Sequence, residues 1–198
     1  MSRPLVLLDV DGVLADFIGG VLEWFWTCTG VVIPREAITS WDITSTLEKY
    51  WPGQRDQCKT FYHDEVQQPG FCFNLSVLHG AVAGVSQLRE VADVHIVTSP
   101  WDSSRHWTYE RNKWLQKHFK LPPSAVTHTH RKTLLGGEGV ILVDDKPSTI
   151  QEYNTQYGSG GYLWDTSHNK SVDIHSRVHG WDDLLRTVHE EKYLCTGT

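Results

Sequence analysis

Three short apolar runs constrain this chain more than any other feature. Residues 4–10, 94–97 and 140–143 each read as a buried strand, because each is too short for a helix and is rich in Val, Leu and Ile. Each runs directly into polar side chains. Asp9 and Asp11 close the first, Thr98 and Ser99 follow the second, and Asp144 and Asp145 follow the third. Between the runs lie stretches with helical spacing. Phe17, Val21, Leu22 and Phe25 form one stripe over 15–28. Val82, Val85, Leu88 and Val91 form another over 79–92. Trp107, Arg111, Trp114 and Leu115 fall within a third, over 103–119. Apolar strands alternating with amphipathic helices predict an α/β fold, a parallel sheet covered on both faces. Ligands of such sheets bind at the carboxyl ends of the strands. The three polar pairs all stand there.

The remaining punctuation fits that frame. Residues 125–128 are expected as a short edge strand. Pro147 is well placed to open a helix, 162–164 is expected as the final strand, and 181–192 as a C-terminal helix. Residues 30–75 differ in character: rich in Trp, Thr, Gln and Pro, with short helical pieces at 45–50 and 55–66. They are read as a small helical cap inserted after the first strand and helix. A length of 198 residues suits one domain carrying such an insertion.

Charge excludes several function classes. A net charge of −6 offers no footprint for a nucleic-acid backbone and no polybasic patch for an anionic membrane. No apolar run approaches the length of a membrane span, and the N-terminus lacks the pattern of a signal peptide. The four cysteines (Cys28, Cys72, Cys58 and Cys195) include no CxxC pair, so reduced thiols in a cytoplasm are expected. Cys28 and Cys72 read as buried small apolar residues. His128 and His130 alternate, but no third ligand accompanies them, and they read as a loop pair rather than a metal site.

The strand-end residues suit one phosphate and one hard cation. Mg²⁺ takes oxygen ligands in octahedral geometry and keeps several waters. Asp9 and an acid from Asp144–Asp145 can supply carboxylates, and the Asp11 backbone carbonyl is a third candidate. Asp9 can also attack phosphorus as a nucleophile. Asp11 can protonate the leaving oxygen and later activate water. Gly12 allows a tight turn beside the phosphate. Thr98 and Ser99 can donate hydrogen bonds to it, and Lys132, or its neighbour Arg131, supplies positive charge. Arg111 is either an outer phosphate contact or a surface charge.

Asp9-Val10-Asp11-Gly12-Val13-Leu14, Thr98-Ser99, Lys132 and Asp144-Asp145 together resemble the four motifs of the haloacid dehalogenase (HAD) superfamily, in order. The run from Asp9 to Phe17 narrows this to a resemblance to the 5′(3′)-deoxyribonucleotidases. So do Pro69-Gly70-Phe71, the stretch Val97 to Pro100, Lys132-Thr133, Leu142 to Lys146, His168-Asn169 and Trp181-Asp182-Asp183. The resemblance spans nearly the whole chain. It implies a HAD-like, Rossmann-like fold and a Mg²⁺-dependent phosphatase of nucleoside 5′-monophosphates that favours pyrimidine deoxynucleotides. It further implies metal contacts through Asp9, Asp11 and Asp145, with Asp144 behind them, and phosphate contacts through Thr98, Ser99 and Lys132. Phe17, Trp41 and Ile43 are implied near the nucleoside.

The expected partner is therefore a small nucleotide, with neither nucleic acid nor membrane, and a homodimer is left open. The alternatives are a HAD phosphatase of another small ester, such as a sugar phosphate, and a catalytically silent nucleotide-binding relative.

Overall fold

The computed structural model describes residues 3–194. A six-stranded sheet holds β1 (Leu5–Leu8), β2 (Asp93–Thr98), β3 (Val126–His128), β4 (Val140–Asp144), β5 (Gly161–Trp164) and β6 (Arg177–Val178). Its order is β3-β2-β1-β4-β5-β6, and every neighbouring pair is parallel. Leu8 lies level with Ile96 of β2 and Val143 of β4. Asp9, Thr98, Asp144 and Asp145 therefore emerge within two residues of one level, at the centre of the sheet's carboxyl edge.

The apolar runs are buried on both faces, as a covered parallel sheet requires. Val6, Leu8, Ile96, Ile141 and Val143 pack towards α5 (Ala81–Val91), α6 (Trp107–Phe119) and α8 (Trp181–Leu194). Leu7, Val97, Leu142 and Leu163 face the other way, onto Ile150 and Tyr153 of α7 (Pro147–Tyr157). Alternation along the strands puts Leu7 and Leu8 on opposite sides.

α1 (Phe17–Thr29) follows β1. Asp16 caps it by accepting from the Gly19 amide at 2.9 Å. Residues 30–75 then carry α2 (Ile43–Tyr50), α3 (Arg55–Val66) and α4 (Phe71–Asn74). This stretch shares a second apolar core with α1, built from Val21, Phe25, Ile33, Ile38, Leu47, Cys58 and Val66.

Four expectations are corrected. The buried face of α5 is Ala81, Gly84, Val85 and Leu88, while Val82 and Val91 are 49% and 40% exposed. The cause lies at Gly84: a Cβ there would come within 2.0 Å of the Trp181 ring, so the helix presents its glycine to the indole of α8 and turns Val82 outward. The strand at 162–164 is not the last. β6 follows it, but two residues are too few to leave a periodic signal. Cys28 is exposed, in the last turn of α1 beyond Phe25, whereas Cys72 is buried. Cys195 lies outside the described residues. Arg111 is neither outer nor superficial, and is described below.

Candidate active site

The first loop is built tightly. Leu14 and Ala15 amides both donate to the Val10 carbonyl, at 2.7 and 2.8 Å, and the Asp9 amide donates to Val143 at 3.0 Å. Gly12 sits in this loop at φ 82°, where a side chain is strained. A Cβ on Gly12 would also lie 1.8 Å from Asp145 Oδ2. The glycine therefore lets the loop of β1 close against the acid of β4.

Asp9 is 6% exposed, with Oδ1 2.6 Å from Lys132 Nζ. Lys132, in a short turn of 3₁₀-helix after β3, also reaches Asp144 Oδ2 at 2.7 Å. The other Asp144 oxygen accepts the Lys146 amide at 2.8 Å. Both oxygens of Asp144 are thus engaged by protein. Asp145 differs. Its Oδ2 lies 3.1 Å from His168 Nε2, and its Oδ1 is buried with no hydrogen-bond partner. Asp9, Asp144 and Asp145 each offer an oxygen within 4.8 Å of the others.

Electrostatics follow from this packing. Burial pushes Asp9 well above the ordinary carboxylate range, against the pull of Lys132, and the neighbouring acids add to the rise. Burial also raises Asp145, to about 6, with the His168 hydrogen bond opposing it and the Asp144 charge adding to it. Burial alone would lower Lys132, but the Asp144 and Asp9 carboxylates hold it above its usual value. Three buried carboxylates thus face one ammonium. The lysine relieves their crowding only in part, and one buried carboxylate oxygen lacks a partner. That deficit fits a divalent cation with oxygen ligands.

Asp11 has a different partner. Arg111 Nη2 donates to both of its oxygens, at 2.6 and 2.7 Å, and the arginine side chain is fully buried. This corrects the expectation of an outer or surface arginine. The signal was hidden because the two residues are 100 positions apart.

The carboxylates open into a cleft of about 340 Å³. Ser99 and Lys132 line its floor with Asp9, Asp11 and Asp145. Phe17, Trp41, Ile43, Tyr62, Trp101 and Trp107 line its walls. The expected residues are therefore brought together, with one distinction. Thr98 lies beneath the floor, fully buried, and its hydroxyl has no partner. Arg131 does not line the cleft. Trp41 stands 55% exposed at the rim, its ring 5.2 Å from that of His168 and 5.6 Å from Lys146 Nζ.

Tyr62, Trp101, Lys146 and His168 were not expected as site residues. His168 carried a signal, a His-Asn pair shortly after a strand. Asn169 holds its place by donating to the carbonyls of Asp145 and Trp164, both at 2.8 Å. His128 and His130 do not act together: one bonds Asn112 at 3.0 Å and the other Asp102 at 2.9 Å. A wider depression of about 570 Å³ beside Phe73, Tyr109 and Lys117 has no comparable chemistry. Its acid, Glu110, spends its oxygens on the Gly70 and Phe73 amides.

The fold is HAD-like. A haloacid dehalogenase-like hydrolase from Streptococcus pneumoniae superposes with a TM-score of 0.60 at 11% identity, over 93% of this chain and 98% of that one. A HAD hydrolase from Bacillus subtilis, solved bound to magnesium, superposes with a TM-score of 0.57 at 12% identity, over 95% and 99%. Residues 3–192 match the family described as 5′ nucleotidase, deoxy (pyrimidine), cytosolic type C, and the chain belongs to that family. Among curated relatives, the mitochondrial 5′(3′)-deoxyribonucleotidase of Mus musculus is 29% identical, over 98% of this chain and 89% of its own. The cytosolic type from Homo sapiens is 28% identical over 97% and 96%. The chain is thus a hydrolase of phosphoric monoesters. Among the described residues, no helix is long and apolar enough to cross a membrane.

Proposed function

We propose that this protein is a Mg²⁺-dependent 5′-nucleotidase that hydrolyses nucleoside 5′-monophosphates, pyrimidine deoxynucleotides foremost, through an aspartyl-phosphate on Asp9. One observation carries the reading: three buried carboxylates around one lysine, with an unpartnered Asp145 Oδ1, form the floor of an aromatic-walled cleft. The relatives named above supply the nucleotide class, and the cleft volume suits a small ligand.

Asp9 and Asp145, with the Asp11 carbonyl, would hold the metal, and Asp144 would position Lys132 behind them. When bound, Mg²⁺ neutralises phosphate charge as the transferring group loosens. Asp9 attacks phosphorus, forming the acyl-phosphate bond as the bond to the nucleoside oxygen breaks. Asp11 delivers a proton to that oxygen, then takes one from the water that attacks the phosphorus and frees Asp9. Lys132 and Ser99 hold the phosphoryl oxygens, while Thr98, fully buried beneath the floor, supports the end of β2 rather than contacting phosphate. Phe17, Trp41 and Ile43, with Tyr62 and Trp101, enclose the nucleoside under residues 30–75, which serve as the cap. Several flat rings favour a base over a bare sugar.

The test is phosphate release from a panel of ribo- and deoxyribonucleoside monophosphates and sugar phosphates, with Mg²⁺ and with a chelator. Deoxypyrimidine 5′-monophosphates should be hydrolysed fastest, and only with the metal. Faster hydrolysis of sugar phosphates than of every nucleotide would overturn the proposal. A cytoplasmic location accompanies it, and cell fractionation checks that.

A further inference from the structure

Arg111 does more than balance a charge. It lies wholly within α6, where its side chain has no exposed surface, yet its partner Asp11 stands partly open to the cleft, with 26% of its side chain exposed. The guanidinium therefore grips the acid from behind. Its seat is rigid: the carbon at its centre lies 5.0 Å from the Trp107 ring centroid and 5.6 Å from that of Trp114. Trp114 is itself tethered, donating through Nε1 to the Leu75 carbonyl at 2.7 Å.

Stability alone is a weak reason for this arrangement. A buried ion pair roughly breaks even against apolar side chains of similar volume. Here the cost is higher still, because Arg111 Nε and Nη1 are buried without hydrogen-bond partners. What the arginine does provide is direction. One nitrogen contacts both carboxylate oxygens, at 2.6 and 2.7 Å, which limits rotation of the Asp11 head group.

We propose that Arg111 is a positioning residue for the reaction, holding the Asp11 carboxyl group by both oxygens and so aiming it at the leaving oxygen. This rests on the phosphatase reading and on Asp11 as its acid. Arg111 touches neither phosphate nor nucleoside in this account. Its effect passes through Asp11 and appears only where proton delivery matters.

The leaving group separates the possibilities. Thymidine 5′-monophosphate expels a poor alkoxide that needs a proton, whereas p-nitrophenyl phosphate expels a phenolate that does not. kcat/KM reports the first half of the reaction for each. Arg111→Met should lower kcat/KM on the nucleotide about 100-fold, the cost of a displacement of about 1 Å. On the aryl ester the loss should stay below about fivefold. In an Asp11→Asn background the same substitution should add less than about twofold. Arg111→Lys keeps the charge but not the planar head group that places Nη2 against both oxygens, and should recover part of the nucleotide rate.

Equal losses on both substrates, or an undiminished effect in the Asp11→Asn background, would overturn the proposal and make Arg111 a phosphate ligand or a packing residue. If Asp11→Asn itself slows both substrates equally, the acid role of Asp11 fails, and the proposal with it. Arg111→Met leaves the Asp11 charge unpaired and can unfold. Arg111→Lys then carries the test, with a loss of about tenfold expected on the nucleotide and none on the aryl ester. Equal losses from the lysine variant would again overturn the proposal.

Discussion

Gly12→Ala perturbs the site without removing any of its functional groups. The new methyl carbon would stand 1.8 Å from Asp145 Oδ2 and 2.6 Å from its Cγ. Carbon and oxygen need over 3 Å, so the carboxylate or the loop must give way by roughly 1.5 Å. Neither moves freely. Asp145 is 3% exposed, with Oδ2 beside His168, and the loop is pinned by the amides of Leu14 and Ala15 on Val10. The left-handed backbone at φ 82° adds about 1–2 kcal/mol of strain for alanine. Because Asp145 is a proposed metal ligand, its displacement should weaken Mg²⁺ affinity about 10–100-fold, the cost of misplacing a ligand's support. Turnover at saturating metal should fall about 100-fold, since a displacement near 1 Å in an active site costs that much. The assay is phosphate release from thymidine 5′-monophosphate across a Mg²⁺ titration, with a thermal melt as the control for folding. A variant with wild-type turnover and an unchanged Mg²⁺ midpoint would refute the packing argument.

Three other outcomes follow from the same contacts. Lys132→Met strands Asp9 and Asp144 without their shared cation; it should cost about 3–5 kcal/mol in chelator, read by urea denaturation, and Mg²⁺ should restore much of it. Burial, then the Arg111 charge, lowers His128 below its ordinary 6.5. The folded protein then binds fewer protons than the unfolded chain between the lowered value and 6.5. Stability from this residue is complete above that window and is lost as pH falls through it, so His128→Gln should flatten the urea midpoint between pH values of about 7.5 and 5; an unchanged slope would remove His128 from the account. Trp41→Ala should raise KM for thymidine 5′-monophosphate about tenfold, the loss of one stacking contact, while leaving the rate on p-nitrophenyl phosphate within about twofold.

The sheet and the clustered acids at its edge could be read from the chain because each apolar run ends in polar side chains. Covered parallel strands are continuously apolar, so Asp9, Asp144 and Asp145 mark the strand ends sharply. The faces of the helices were less legible. Periodicity placed Val82 inward on α5, but the indole of Trp181 fits only over Gly84, and that match spans nearly 100 positions. The role of Arg111 was hidden for the same reason. A guanidinium on a helical stripe reads as an outer phosphate contact or a surface charge until its carboxylate partner, on another segment, is known. Trp41 and Ile43 came from family resemblance, and the cleft includes them, while Tyr62 and Trp101 had no distinguishing pattern among so many aromatics.

Asp9 is the centre of the account, and its replacement is the most direct test. Asp9→Asn keeps the size of the side chain and one oxygen while removing the nucleophile. With saturating Mg²⁺ and thymidine 5′-monophosphate, turnover should fall by at least about 10³-fold, with a native circular dichroism spectrum. An Asp9→Asn protein that releases phosphate at the wild-type rate would contradict the account.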